Sequence, residues 1–290
     1  MAGSTLASST GERVKAPGFI SRFVANRLAL VAALTLMVIG ALAVLGPVLY
    51  PVDPFDMVGR PFQKPLGQHP LGTDVSGRDI LAGLLHGASV SLSVGLISTA
   101  VATLAGVVIG ALAGYYGGWL DELLMRLTDF FLTIPSFVLA VVLVAIFSPT
   151  LTSVTLAIAL VSWPSVARLV RGEFLNQRSR EYVQACRAIG MPDSQIIFVH
   201  ILPNALPPVV VVSSLMVATA ILTESGLSFL GLSDPNFVSW GYMIGVARSS
   251  LRTAWWMVAI PGLTIVITVL AINLVGEGIN DALNPRLKQR

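Results

Sequence analysis

The sequence predicts an all-α polytopic membrane protein with six transmembrane helices. Only 11% of its 290 residues are charged and 54% are hydrophobic, against roughly 25% charged in a soluble domain. The mean hydropathy is +0.80. Uncharged runs long enough to cross a bilayer, which takes about 20 residues, recur along the chain. In such a chain basic residues mark topology, so membrane lipid is an expected partner and nucleic acid is not. The single cysteine, Cys186, excludes an intrachain disulfide and a Cys-rich metal site. His69, His86 and His200 form no His-x-x-x-His pair, so no metal is expected.

Residues 1–27 are polar and Ser/Thr-rich and carry Arg13, Lys15, Arg22 and Arg27, a basic lead-in. Residues 28–50 are uncharged and make the first span. At about 1.5 Å per residue they reach about 34 Å, longer than the roughly 7–15-residue core of a cleaved signal peptide. Residues 51–86 read as an extracytoplasmic loop, because Pro51, Pro54, Pro61, Pro65 and Pro70 oppose helix and sheet alike. Near its end, Asp74, Arg78 and Asp79 either pair with one another and brace the loop, or form a turn followed by a helix cap.

The core, 87–283, begins with a second span at 87–116. There Gly106, Gly110 and Gly114 lie four apart on one helix face, a packing stripe. Residues 115–126, with Asp121, Glu122 and Arg126, read as a polar turn. The uncharged run 130–167 fits two spans joined at Ser148-Pro149-Thr150, with kinks expected at Pro135 and Pro164. The fifth span is 201–223, a loop follows over 224–252, and the sixth span is 253–276, opened by the interfacial pair Trp255 and Trp256. Residues 284–290 form a basic tail. With six spans both termini share one side. That side carries 13 Lys/Arg and the other 5, which places both termini in the cytoplasm.

The most polar stretch of the core is 178–193, inside a cytoplasmic loop at about 173–203. Tyr182, Ala185, Cys186 and Ile189 fall on one face of a short helix, with Arg180, Gln184 and Arg187 on the other side. Gly190 stops this helix, Pro192 opposes its continuation, and Asp193 is expected to cap the next stretch, 194–202. A short helix with a small-residue face suits a groove on a partner, or it lies against its own bundle.

Glu181-Tyr-Val-Gln-Ala-Cys-Arg-Ala-Ile-Gly190, followed by His200-Ile-Leu-Pro-Asn204, resembles the EAA loop of bacterial ABC importer permeases. Gln184 replaces the Glu, Cys186 the second Ala and His200 the first Ile of that pattern. The chain is similar more closely to the C-type subunit of dipeptide/oligopeptide permeases. The likeness rests on His69-Pro-Leu-Gly-Thr-Asp-x-x-Gly-Arg-Asp79, Tyr116-Gly-Gly-Trp-x-Asp121, Glu224-x-Gly-Leu-Ser-Phe-Leu-Gly231, Asn273-Leu-x-Gly-x-Gly278 and Asp281-Ala-Leu283. It departs at Glu277 and Asn284, where the family often has Asp. The resemblance implies the type I ABC importer permease fold. It also implies a heterodimer with a second permease, two cytoplasmic ATPases that use ATP and Mg, and an extracytoplasmic substrate-binding protein delivering peptide. Glu181, Tyr182, Gln184, Ala185, Cys186, Arg187 and Gly190 become ATPase-coupling residues, with Glu181 and Arg187 at the rim.

Glu224, Ser225, Ser228 and Phe229 are candidates for the outer end of the pathway, because an ionisable residue near a span end is either functional or merely solvated. Nickel, haem or another small solute is the alternative cargo. A secondary transporter would need carboxylates near the bilayer midplane, and the expected spans have none, with Asp129 and Glu224 at their ends. A membrane scaffold would not need the coupling-type loop. No phosphate-binding Gly-x-x-x-x-Gly-Lys-Ser/Thr pattern and no nucleophile–base set occur, so the chain is expected to bind no cofactor and to be no enzyme.

Overall fold

The computed structural model describes residues 19–283. Most of the basic lead-in and the 284–290 tail, with Asn284, lie outside the described residues. Among the described residues there is no strand beyond two isolated bridges, Met57 to Arg78 and Thr73 to Asp79, in the long loop. Helix α1 (Phe19–Ala25) passes through Asn26, which caps α2 (Arg27–Leu49) by accepting from the Ala29 N–H. Then come α3 (Ile80–Tyr116), α4 (Gly118–Thr133), α5 (Ser136–Phe147), α6 (Leu151–Arg178) and α7 (Glu181–Ala188). A single turn, α8 (Asp193–Gln195), continues through a π-helical stretch (Ile196–Ile201) into α9 (Leu202–Phe229). Helices α10 (Trp240–Ala247) and α11 (Trp256–Leu283) complete the described residues. Among the described residues, five helices are long and apolar enough to cross a membrane, and six if α4 and α5, bent by 87° at their junction, count as one broken span.

Several boundaries differ from the sequence expectation. Helix α3 starts at Ile80, inside the expected loop, because the Asp79 carboxylate caps it and Ile80, Ala82 and Gly83 are buried. The polar turn expected at 115–126 is mostly the amphipathic helix α4; its charge is held by Asp121, which accepts two bonds from Arg171 of α6 at 2.5 and 2.6 Å. At Pro135 the chain breaks rather than kinks. Ile134 before it is extended, as a pre-proline residue prefers. Helix α6 instead runs unbroken through Pro164 to Arg178. Helix α9 runs on to Phe229, and α10 occupies part of the expected 224–252 loop.

Helices α3 and α6 pack most extensively, through the expected glycine stripe. A Cβ on Gly106 would stand 2.5 Å from Cβ of Val166, one on Gly114 2.6 Å from Cβ of Phe174, and one on Gly110 would overlap the Ala167 carbonyl. Only hydrogen at these positions lets the backbones approach so closely. At about 1.5 Å per residue α3 is about 55 Å long. It joins the two ends of the bundle, one carrying the long loop and α10, the other carrying α7.

Candidate functional site

At the α7 end, Arg178 closes α6, and two residues later the chain enters α7. Val183 is fully buried in a cluster with Tyr115, Phe174, Ile196 and Ile197, and anchors the short helix. Glu181, Tyr182, Gln184, Ala185, Arg187 and Ile189 are exposed. The helix ends in a Schellman turn: the Gly190 N–H donates to the Arg187 carbonyl at 3.0 Å and the Met191 N–H to the Cys186 carbonyl at 3.1 Å. Gly190 has φ +75°, a left-handed conformation, and open space around it. Its requirement is therefore conformational rather than steric.

Three details depart from the helical-face reading. Cys186 is half-buried on the Val183 side and packs against the same cluster, so it does not share the outward face of Tyr182 and Ala185. The Arg187 guanidinium lies over the Tyr115 ring, 5.0 Å from its centroid. Asp193 makes no side-chain cap at the start of α8; its carboxylate instead accepts a 2.5 Å hydrogen bond from the Tyr115 hydroxyl. The sequence reading set Tyr115 where the second span meets the expected turn and gave it no role. Its signal was weak: one aromatic at the end of an uncharged run. Beyond α8, Pro203 contributes no N–H, and the Asn204 side chain donates to the His200 carbonyl at 2.6 Å.

At the opposite end, Asp74, Arg78 and Asp79 form no ion pair with one another, so the mutual-pairing expectation fails and the turn-and-cap alternative holds. Asp74 accepts from the Ser76 and Arg78 N–H groups, an Asx turn. Asp79 accepts from Leu81 and Ala82 N–H as the α3 cap. It also accepts from the Tyr50 hydroxyl at 2.8 Å and from His69 Nδ1 at 2.7 Å. These partners, rather than the neighbouring charges, brace the loop. Arg78 points to α10, donating to the Tyr242 hydroxyl at 3.3 Å and lying 5.2 Å from the Phe55 ring centroid.

Glu224 lies within α9, not at its end, and is 4% exposed. Its carboxylate accepts from Ser228 Oγ at 2.8 Å and Ser239 Oγ at 2.6 Å, with Ser225 Oγ at 3.4 Å. Ser239 is also the cap of α10, accepting from the Tyr242 N–H at 3.0 Å. Ser225 is half-buried, Ser228 buried and Phe229 exposed. Solvation at a helix end is thus not how Glu224 is accommodated. It ties α9 to the start of α10, and Trp240 ties α10 to α3 through its N–H to Ser91 Oγ and its Nε1–H to the Leu84 carbonyl.

Residues 106–289 match the family described as binding-protein-dependent transport system inner membrane component, and residues 18–65 match the N-terminal TM domain of oligopeptide transport permease C. The di/tripeptide transport system permease protein DppC of Pseudomonas aeruginosa is 41% identical, over 93% of this chain and 92% of the relative. The dipeptide transport system permease protein DppC of Alkalihalophilus pseudofirmus is 38% identical, over 91% and 87%. The glutathione transport system permease protein GsiD of Pectobacterium atrosepticum is 39% identical, over 93% and 91%. The fold is similar to that of a chain of the methionine ABC transporter MetNI in an inward-facing conformation, with a TM-score of 0.59 at 20% identity over 70% of this chain and 96% of that one. The chain belongs to the inner membrane components of binding-protein-dependent transport systems, and is a permease subunit of the ABC importer class.

Proposed function

We propose that this chain forms half of the translocation pathway of an ATP-driven importer of dipeptides and oligopeptides. The other half is a second permease, two cytoplasmic ATPase subunits supply the energy from ATP and Mg, and an extracytoplasmic binding protein delivers the peptide. Both termini and α7 face the cytoplasm in this reading, which the basic-residue asymmetry supports. The peptide cargo is supported by the substrates named for the relatives, glutathione among them, itself a small peptide.

The observation that carries the reading is α7: a capped helix fixed by one buried residue, Val183, with its other faces open at the end of the bundle. Tyr182, Ala185 and Ile189 are the apolar docking surface, Glu181 and Gln184 its polar rim. Gly190 is the turn residue, and Cys186 and Arg187 hold the helix to the bundle. Such a helix enters a cleft on a partner with little ordering cost. At the far end, Glu224, Ser225 and Ser228 hold the α9–α10 junction, and Phe229 beside them is free to face the pathway.

The test is co-purification of the ATPase subunits with full-length chain carrying Ala185→Arg. Ala185 is exposed, so the change leaves the bundle intact. Loss of the ATPase subunits with normal abundance of this chain, together with loss of labelled alanyl-alanine uptake, is the expected result. Full retention of the ATPase subunits overturns the docking assignment.

A further inference from the structure

Tyr115 is the last-turn residue of α3, is 3% exposed, and touches both sides of the turn that ends the coupling segment. Its hydroxyl donates to Asp193, the first residue of α8, at 2.5 Å. Its ring faces Arg187, in the last turn of α7, with the guanidinium carbon 5.0 Å from the centroid. Among the described residues it is the one α3 side chain hydrogen-bonded to the α7–α8 segment. The other side-chain bonds of α7 do not reach α3: Tyr182 donates to Gln177 of α6 and to the His200 carbonyl in the π-helical stretch, and Gln184 to the Ser179 carbonyl.

We propose that Tyr115 is a positioning residue for energy coupling, fixing the Arg187–Asp193 turn to α3 so that a push on α7 moves the whole of that helix. The proposal rests on the reading that α7 docks on an ATPase. The path beyond Tyr115 is continuous. Helix α3 runs the length of the bundle, is packed glycine to backbone on α6, and at its far end holds Asp79 against Tyr50 and His69. Before that end it grips Trp240 of α10 by Ser91 and the Leu84 carbonyl. A displacement delivered at the turn is therefore delivered to α10 and the outer loop. Without the Tyr115 hydroxyl, the apolar cluster around Val183 and the Tyr182 bonds to Gln177 and the His200 carbonyl remain, but among the described residues no side-chain hydrogen bond ties the turn to α3, and α7 can tilt without carrying α3 with it. A hydrogen bond to a charged acceptor in a partly buried site is among the stronger single contacts available here.

Cys186 supplies a built-in reporter, being the only thiol in the chain and half-buried against the cluster that α7 covers. Its alkylation by N-ethylmaleimide would be timed in membranes holding the full chain and its partner permease without the ATPase subunits. Tyr115→Phe and Asp193→Ala are each expected to speed labelling about tenfold. The double variant is expected to be no faster than either single one, because both remove the same bond. In the complete transporter the same variants should retain the ATPase subunits and hydrolyse ATP, while alanyl-alanine uptake per ATP falls several-fold. Asp193 is exposed, so Asp193→Ala serves if Tyr115→Phe fails to accumulate. Wild-type labelling rates, additive effects in the double variant, or unchanged uptake per ATP would each overturn the proposal. If Ala185→Arg keeps its ATPase subunits, the docking reading fails instead and the coupling role falls with it, whatever the labelling rates.

Discussion

Asp79, at one end of α3, accepts four hydrogen bonds from Tyr50, His69, Leu81 and Ala82, and its side chain is fully buried. Tyr115, at the other end, donates one to an exposed aspartate. The same helix is thus set in a dense polar network on one side and lightly mounted on the other. Around Asp79 and Glu224, buried carboxylates are saturated by hydroxyls, an imidazole and backbone N–H groups, and low local polarity makes each such bond costly to break. Around α7, one buried valine and a glycine-stopped turn hold a helix whose remaining faces are open. Segments that must engage a moving partner are drawn from the less stable parts of a fold. The contrast between the two ends fits the proposed docking of α7 on an ATPase subunit.

The largest effect that would break this contrast is at Asp79. Asp79→Ala removes the α3 cap, worth about 1 kcal/mol, and takes the acceptor from the half-buried Tyr50 and His69, at about 1 kcal/mol each. Thermal unfolding in detergent should show a loss of about 3 kcal/mol or more, while Glu181→Ala on α7 should stay within about 0.5 kcal/mol. Similar losses from the two would mean that the ends are held alike.

Next is Glu224. Glu224→Ala leaves the Ser228 and Ser239 hydroxyls without their acceptor and opens a cavity, for a loss of about 2 kcal/mol. Glu224→Gln keeps an acceptor oxygen within reach of both, and should lose under about 1 kcal/mol. If the glutamine variant is as unstable as the alanine one, the charge itself is needed, and the hydroxyl cradle is not what accommodates this residue.

On the lighter side, Gly190→Ala forces a Cβ into φ +75° where nothing else crowds it. The cost should be about 1 kcal/mol, confined to the α7–α8 turn. Faster proteolysis there with an unchanged global unfolding midpoint is the expected pattern. A shifted midpoint would show that the α7 end is wired into the bundle as firmly as the α10 end.

The spans were readable because nothing but uncharged residues can fill them, and the α3 stripe because only glycine permits its approach to α6. Gly190 was legible for the same reason: its backbone needs what only glycine readily gives. What escaped were contacts between polar residues far apart in sequence. Asp121 made the start of α4 look like a turn, since its partner Arg171 lies on another helix. Glu224 looked like a span end because Ser239, which helps make its burial tolerable, comes fifteen positions later. The 3.6-residue period of α7 was correct, yet Cys186 was placed on the wrong side of it. Tyr182, Ala185 and Ile189 follow the helical period as well as Val183 does, and periodicity alone does not say which stripe meets the bundle.

The smallest expected effect is a pH dependence at the α10 end, and it tests whether that network reaches α6. Burial raises the Asp234 pKa, but hydrogen bonds from the Asn236 and Leu151 N–H groups and the Asn236 side chain outweigh it and leave the carboxyl below its ordinary value. Its carboxylate accepts from Leu151 N–H, at the first turn of α6, at 2.9 Å. A folded pKa below the unfolded one stabilises the native state at pH values above the ordinary aspartate range, near 4. That contribution drains away as the pH falls through the lower, folded value. Asp234 is only half-buried, so solvent screening keeps the effect to about 0.5 kcal/mol or less. Global unfolding would hardly register it, whereas hydrogen exchange at the Leu151 amide should. Corrected for its intrinsic pH dependence, that amide should lose protection on going from about pH 7 to about pH 3. In Asp234→Asn, where an amide oxygen accepts the same bond without titrating, the loss should vanish. Equal acid sensitivity in both proteins would place the titrating group elsewhere and detach α6 from the network that holds α9, α10 and the long loop.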